Sequence, residues 1–461
     1  MTLQPDIDAT LKQFARFGIH LGLERIQQLL EDLGDPHQQM PVIHVAGTNG
    51  KGSVCAYLSA VLAEAGYRVG RFTSPHLVDW AERICINEQP IAPVALLQCL
   101  QQIEAAIAAR TRKDARAESP TQFEVITAAA WLYFAQQTVD IAVVEVGLGG
   151  RLDATNVCDR ALVSIITSIS RDHWQRLGPT LADIAGEKAG ILKANCPAII
   201  GPLPEEVTAV FKVRIQQLHC PVQWPAPAKS LGDGWAVYPN LDLVGNAASD
   251  RSDTPPLKYH LPLSGTVQLT NSALAIAALH QLQKQGWDIS DDAIAQGMAK
   301  ARWPGRLQRA IWQGHPLLLD GAHNQAAAIA LRQSLDSGSH PFASEPPFQS
   351  FAKRSLTWVI GMLATKDSKD ILQALLRPGD RVYILPVPDH QSADPEVLAA
   401  IASTVCPQLA NCQVLSTLDS ALRAATQSPE NTEPHLTVLC GSLYLVGYFL
   451  KQYGAETPSS I

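Results

Sequence analysis

The sequence lacks a C-x-x-C pair, and its nine cysteines, an odd number, are scattered from Cys55 to Cys440. That argues against a disulfide framework or a structural zinc site and for a reduced, cytoplasmic setting. There is no surplus of positive charge: 36 Lys and Arg face 43 Asp and Glu, for a formal net charge of −7. A nucleic-acid partner is therefore not suggested, and any anionic substrate must be met by local basic groups. No apolar run is long enough to span a membrane. The opening Met1–Asp6 has neither the basic start nor the apolar stretch of a signal peptide. No repeat of solenoid period is present. What remains is 461 residues, 46% hydrophobic and 17% charged. That is ordinary for a soluble α/β protein with a large core and two or three domains.

The stretch Val42-Ile43-His44-Val45-Ala46-Gly47-Thr48-Asn49-Gly50-Lys51-Gly52-Ser53 organises the chain. It reads as a buried strand, a glycine-rich turn and a helix starting at Val54. Such a turn can point backbone N–H groups at an anion with the helix N-terminus behind them. Lys51 would supply a mobile positive charge for nucleotide phosphates. The loop is a variant of the P-loop: Val45 stands where the standard pattern has glycine, and Gly52 separates Lys51 from Ser53. The plain alternative is an ordinary strand-to-helix turn.

Residues 7–33 read as helical, interrupted by Phe17–Gly22. From Val42 strands alternate with amphipathic helices: helices over Val54–Ala65, Pro93–Ala109, Thr121–Gln137 and Leu181–Leu192, strands over Arg68–Thr73, Ile141–Val146, Ala161–Ser168 and Ala198–Gly201. The alternation predicts a largely parallel sheet with helices on both faces. Residues 220–263, rich in proline, predict an irregular insertion with a few short strands. Helices return over Asn271–Gln283 and Asp291–Arg302. Trp303–Arg306 reads as a domain hinge, dividing the chain into 1–302 and 303–461. Beyond it come strands at Leu317–Leu319, Thr357–Met362, Val382–Val387 and Leu436–Leu439, with 335–354 expected as a flexible surface loop.

Ligands of open α/β sheets gather at the carboxyl ends of strands. Four such ends carry unusual residues: Gly47–Ser53, Ser74, Glu145 and Asp172-His173. An acid ending an apolar strand is where a Walker-B element holds a nucleotide's magnesium. Taken singly, Ser74 reads better as a helix cap, and a lone His173 as a structural histidine. Glu145 is harder to set aside, because a carboxylate in so apolar a strand needs a partner. Glu187-Lys188 reads by composition as a charged pair on a solvated helix face. Arg306 and Asp320 read as a hinge arginine and a strand-end acid.

Together the ordered motifs become specific. Gly47–Ser53, Ser74-Pro75-His76-Leu77, Glu145–Asn156, Glu187-Lys188-Ala189-Gly190-Ile191, Pro304-Gly305-Arg306, Asp320-Gly321-Ala322-His323-Asn324 and Gly361-Met362-Leu363 occur in sequence. The chain resembles the folylpolyglutamate synthase/dihydrofolate synthase family of the Mur ligase superfamily, from about His20 to Tyr444. The resemblance implies an N-terminal P-loop ATPase domain and a smaller C-terminal Rossmann-like α/β domain, with ATP bound in the cleft between them. It implies ATP-dependent amide formation, in which a folate or dihydropteroate carboxylate becomes an acyl phosphate that L-glutamate attacks. It further implies that Thr48, Asn49, Gly50, Lys51, Gly52 and Ser53 bind ATP phosphates. Ser74 and Glu145 would hold a first Mg²⁺ and His173 a second, softer site that accepts Mn²⁺. Lys188 would be carbamylated and serve the metal. Thr121, Gln122, Phe123, Glu124, Leu152, Asp153 and Ala154 match segments lining the pterin pocket, and Asn271, Arg306, Asp320 and His323 match ATP contacts. The turn Phe17–Leu23 falls where the family closes the folate site. A monomer is the family expectation.

Two other readings compete. A peptidoglycan Mur ligase shares the loop, the acid and the lysine but usually carries a nucleotide-sugar domain first, and 46 residues before Gly47 are too few for one. A P-loop switch protein is weaker still, because no Asn/Thr-Lys-x-Asp guanine-reading motif exists.

Overall fold

Val42–Ala46 is buried at all five positions, as a strand must be when helices cover both faces of its sheet. A computed structural model describes residues 4–15, 18, 20–116, 118–239, 256–341, 355–427 and 436–454. The chain forms two compact units: Met1–Pro262 with Leu269–Arg302, and Leu263–Gln268 with Trp303–Ile461.

The first unit is built on an eight-stranded sheet. Its order is Gln89–Pro90, Ile84–Ile86, Val69–Phe72, Ile141–Glu145, Val42–Ala46, Val163–Ile166, Ala198–Ile200 and Val222–Gln223. All neighbours are parallel except the Ile84–Ile86 and Gln89–Pro90 hairpin at one edge. Registered residues share a face. One face carries two apolar clusters side by side. Val42, Phe72, Ala142 and Val144 pack under the helices Gln4–Ala15, Glu24–Asp32, Pro93–Lys113 and Gln122–Gln136. Ala46, Ile166, Ala198 and Ile200 pack under Leu181–Ala189 and Glu205–Leu218. The alternate residues Ile43, Val45, Val143 and Ile165 are equally buried. The helix Lys51–Glu64, buried from Gly52 to Leu62, packs on the sheet and on the helix Asp291–Lys300.

The structure corrects several expectations. The helix after the glycine-rich turn begins at Lys51, not Val54, so Lys51, Gly52 and Ser53 form its first turn. The edge hairpin and the helix Glu205–Leu218 escape the sequence pattern. That helix buries only Val207 and Phe211, too little for a clear apolar stripe. The proline-rich stretch does carry the few short strands expected of it: Lys229–Gly232, Trp235–Tyr238 and Leu257–His260 form an antiparallel sheet, and residues 240–255 lie outside the described ones. Of the supposed loop 335–354, Leu335 is fully buried at the end of the helix Gln325–Asp336 and His340 is buried too; residues 342–354 lie outside the described ones.

The second unit has a six-stranded sheet ordered Gln308–Trp312, His315–Leu319, Thr437–Cys440, Thr357–Ile360, Arg381–Ile384 and Asn411–Val414. Only the first pair is antiparallel. Its own core includes Trp358, Ile360, Leu372, Val382 and Val438.

Candidate functional site

Four consecutive strands of the large sheet end at one edge. Val69–Phe72, Ile141–Glu145, Val42–Ala46 and Val163–Ile166 are parallel neighbours, with Val45 opposite Glu145 and Ala46 opposite Ile166. The loops after them carry Ser74, Gly147–Asn156, Gly47–Gly50 and Thr167–His173. Sheet topology, not sequence proximity, brings these segments together.

The glycine-rich turn is braced by the loop beside it. Thr48 N donates to Ser168 O at 2.8 Å and Asn49 N to Ser168 Oγ at 3.1 Å. Thr167 Oγ1 donates to Asn49 O at 2.6 Å, and Thr48 Oγ1 donates to Ser170 O at 3.1 Å. Sequence reasoning passed over the Thr167 and Ser168 hydroxyls; the run Thr167-Ser168-Ile169-Ser170 at a strand end was the available signal. Gly50 caps the following helix with φ of 88°, and a Cβ there would fall 2.4 Å from Asn271 Oδ1. Only glycine allows both that backbone and the approach of Asn271. The first N–H groups of a helix have no partner within it and converge on an anion.

Lys51 Nζ donates to Thr48 O at 3.0 Å and lies 3.9 Å from Glu145 Oε1. Glu145, 4% exposed, accepts from Ser74 N at 3.1 Å. The next helix, Trp80–Arg83, is capped by Asp79, so Ser74 does not cap it. Lys188 corrects its compositional reading outright: it is 5% exposed, and its Nζ donates to Gly47 O at 2.9 Å. Burial, reinforced by the charge of Lys51, pulls its pKa down to about 7. His173 is half exposed, in a left-handed conformation at the start of Trp174–Leu177, with Nε2 3.8 Å from Asp172 Oδ1.

The segments expected to line a pterin pocket are tied to each other and to the core. Thr121 and Glu124 form a capping box at the start of Gln122–Gln136. Arg25, which sequence reasoning missed, donates to Glu124 Oε2 at 3.2 Å, to Glu118 Oε2 at 3.1 Å and to His20 O at 2.9 Å. Within the turn Phe17–Leu23, Phe17 and Ile19 lie outside the described residues. Gln122 Nε2 donates to Leu11 O at 3.1 Å. Phe123 lies so close to Gly147 that a Cβ there would be 2.3 Å from its ring. Leu152 is partly exposed, while Asp153 and Ala154 are buried. Asp153 accepts from Leu148 N, Thr155 N and Thr155 Oγ1; burial still raises its pKa against those bonds.

In the second unit, Asp320 accepts from Leu307 N at 2.9 Å and Ala322 N at 2.8 Å. Burial raises its pKa, opposed by the Arg306 guanidinium. Arg306 Nη1 donates to Gly305 O at 3.0 Å, and His323 Nδ1 sits 2.8 Å from Gly321 O. These three residues cluster at the end of His315–Leu319.

Comparison with known proteins follows the same division. The model of the dihydrofolate synthetase C-terminal domain matches residues 306–452, and that of the Mur ligase middle domain matches residues 45–279. The chain is 37% identical to dihydrofolate synthase/folylpolyglutamate synthase of Bacillus subtilis, covering 78% of this chain and 80% of that one. It is 36% identical to dihydrofolate synthetase of Saccharomyces cerevisiae, covering 95% and 99%. Among solved structures, Mycobacterium tuberculosis folylpolyglutamate synthase complexed with ADP and AMPPCP superimposes with a TM-score of 0.81 at 31% identity, covering 98% of this chain and all of that one. The Escherichia coli protein in complex with DHPP and ADP gives 0.76 at 30% identity, covering 98% and 97%.

Proposed function

The chain belongs to the dihydrofolate synthase/folylpolyglutamate synthase family of Mur ligases, and from that premise we propose how its residues carry the reaction. It is an ATP-dependent ligase that joins L-glutamate to a folate or dihydropteroate carboxylate, releasing ADP and phosphate. The Mur ligases are the superfamily, not the activity.

A carboxylate is a poor electrophile. Transfer of the γ-phosphoryl group converts its oxygen into a leaving group, and the glutamate amine then displaces phosphate. Positioning and charge neutralisation do most of this work. The observation that carries the assignment of roles is the convergence of Gly47–Ser53, Ser74, Glu145 and Lys188 at adjacent strand ends. The N–H groups of Gly50, Lys51, Gly52 and Ser53 and the Lys51 ammonium cradle the phosphates, while Thr48 and Asn49 hold the loop's shape. Asn271 lies against Gly50 and bounds the nucleotide. The family resemblance assigns Arg306, Asp320 and His323, which cluster within the second unit, to ATP.

Mg²⁺ takes oxygen ligands and is commonly held by one or two carboxylates plus substrate phosphates. Glu145 and Ser74 fit that donor set. Phosphate oxygens and a carbamate on Lys188 would complete the set; three or more His, Cys, Asp or Glu grouped for a metal do not occur among the described residues. His173 would be the softer ligand, compatible with Mn²⁺. Bound Mg²⁺ would offset charge on the transferring phosphoryl group. Thr121–Glu124 and Leu152–Ala154 form the acceptor pocket for the pterin, and both activities reside in one enzyme. All nine cysteines are free, which supports a reducing, cytoplasmic setting; a monomer follows from the family expectation.

The test is phosphate release from Mg-ATP across a matrix of acceptors and amines. We expect release to require L-glutamate together with a pteroyl compound: dihydropteroate for synthase activity, a reduced folate for chain extension. Glutamate-independent hydrolysis, or turnover only with a UDP-linked peptide acceptor, would overturn the assignment.

A further inference from the structure

A histidine interrupts the apolar strand that launches the phosphate loop. His44 is 3% exposed at the middle of Val42–Ala46, with Val144 and Ser164 beside it on neighbouring strands. Its face of the sheet carries the two apolar clusters, one holding Val42 and Val144, the other Ala46 and Ile166. His44 stands in the seam between them. There it meets the loop that follows Glu145: its Nε2 lies 2.9 Å from Thr155 Oγ1.

The direction of this hydrogen bond follows from proton counting. A threonine hydroxyl has one proton, and Thr155 gives it to Asp153 Oδ1 at 2.6 Å. Thr155 Oγ1 therefore accepts from His44 Nε2–H, which selects the tautomer of the imidazole. The same carboxylate accepts from Thr155 N at 3.0 Å and, through Oδ2, from Leu148 N at 2.8 Å. One buried acid thus ties both ends of the Leu148–Thr155 loop, and its orientation depends on Thr155. Burial holds the pKa of His44 down at about 3, so the imidazole stays a neutral donor at any working pH.

We infer that His44 is a positioning residue for the acceptor: through Thr155 it sets Asp153 and the Leu152–Ala154 wall, so the strand that places the phosphate loop also places the pterin pocket. The inference rests on the proposed pocket role of Leu152–Ala154. It explains why a polar group is kept inside a strand whose other side chains are apolar. A histidine that merely filled space would be replaceable by a hydrophobe of similar size.

The experiment measures KM for the pteroyl acceptor and for ATP on the full-length enzyme and its variants. His44→Leu and Thr155→Val each remove the link; losing a buried hydrogen-bond partner should raise acceptor KM about tenfold while ATP KM stays within about twofold. His44→Gln carries an amide N–H near the position of Nε2, and Thr155→Ser keeps the hydroxyl, so both should recover most of the loss. Unchanged acceptor KM in the folded Leu and Val variants, equal losses for both substrates, or no recovery in Gln and Ser overturns the inference. The Thr155 pair decides the matter if His44→Leu fails to fold. Leu152→Ala separates the two readings. If it leaves acceptor KM unchanged, the pocket assignment falls and the inference with it. If it raises acceptor KM while the His44 and Thr155 variants do not, only the inference falls.

Discussion

Lys188 is held where its charge is costly. Its ammonium would be buried beside Lys51, and burial is the larger of the two effects that bring the pKa to about 7. An exposed lysine titrates near 10.5, so almost none of it is neutral at pH 7, whereas burial here makes the neutral amine accessible near neutral pH. Carbamate formation needs the neutral amine. We therefore expect a carbamate carbon in ¹³C NMR after incubation with labelled bicarbonate, rising as pH climbs through 7. Lys188→Ala should lack the signal and lose activity by about a hundredfold or more, the scale of losing a preorganised electrostatic group. An active wild-type enzyme without the signal would rule out the modification. The same shift has a stability consequence of fixed sign. Between about pH 7 and 10.5 the unfolded chain holds the proton that folded Lys188 has lost, so unmodified protein gains stability as pH rises through that window.

At the scale of elements, the Gln122–Gln136 helix shows how a short polar signature fixes a surface. Thr121 Oγ1 accepts from Glu124 N at 3.3 Å, and Glu124 Oε2 accepts from Thr121 N at 2.6 Å. This reciprocal pair satisfies two otherwise unpaired donors at the helix start. Arg25 then fastens the same carboxylate to the helix Glu24–Asp32. Thr121→Ala should lower stability by ~1 kcal/mol, with Thr121→Ser restoring it, as read by urea unfolding. A stability unchanged in the alanine variant would mean the box contributes nothing beyond what water supplies.

For the whole molecule, two cores imply two sets of stabilising contacts, and unfolding need not be a single transition. Asp380 is the buried tie of the second unit. It accepts from Leu356 N at 2.8 Å, Trp358 Nε1 at 2.9 Å, Arg377 N at 3.0 Å and Arg332 Nη1 at 3.2 Å. Asp380→Ala leaves the Leu356, Trp358 and Arg377 N–H groups without this acceptor and Arg332 with Asp336 as its remaining carboxylate, a loss of ~3 kcal/mol. Calorimetry should show one transition moving to lower temperature while the transition of the first unit stays in place. A uniform shift of the whole thermogram would show that the units unfold together.

The order of motifs was written in the chain, because glycine-rich turns, strand-end acids and capping boxes are local chemistry. Gly50-Lys51 and Glu145 announce themselves within a few residues; the Thr121–Glu124 box is as local, though its sequence reads only as a pocket segment. The alternation of apolar strands and helices likewise determined the α/β class, since periodicity reflects which faces are buried. What the chain could not say alone was which strands are neighbours. Four strand ends separated by as much as the stretch from Ala46 to Ile166 become one edge only through the sheet order. Lys188 read as a solvated charge because composition carries no burial; the packing of its own helix, Leu181–Ala189, which turns Lys188 onto Gly47 O, reversed that. The link from His44 to Thr155 spans 111 positions, and no local pattern marks it. Sequence determined which groups are available, and tertiary packing decided which of them lose water and meet, because desolvation and distance are properties of the folded chain alone.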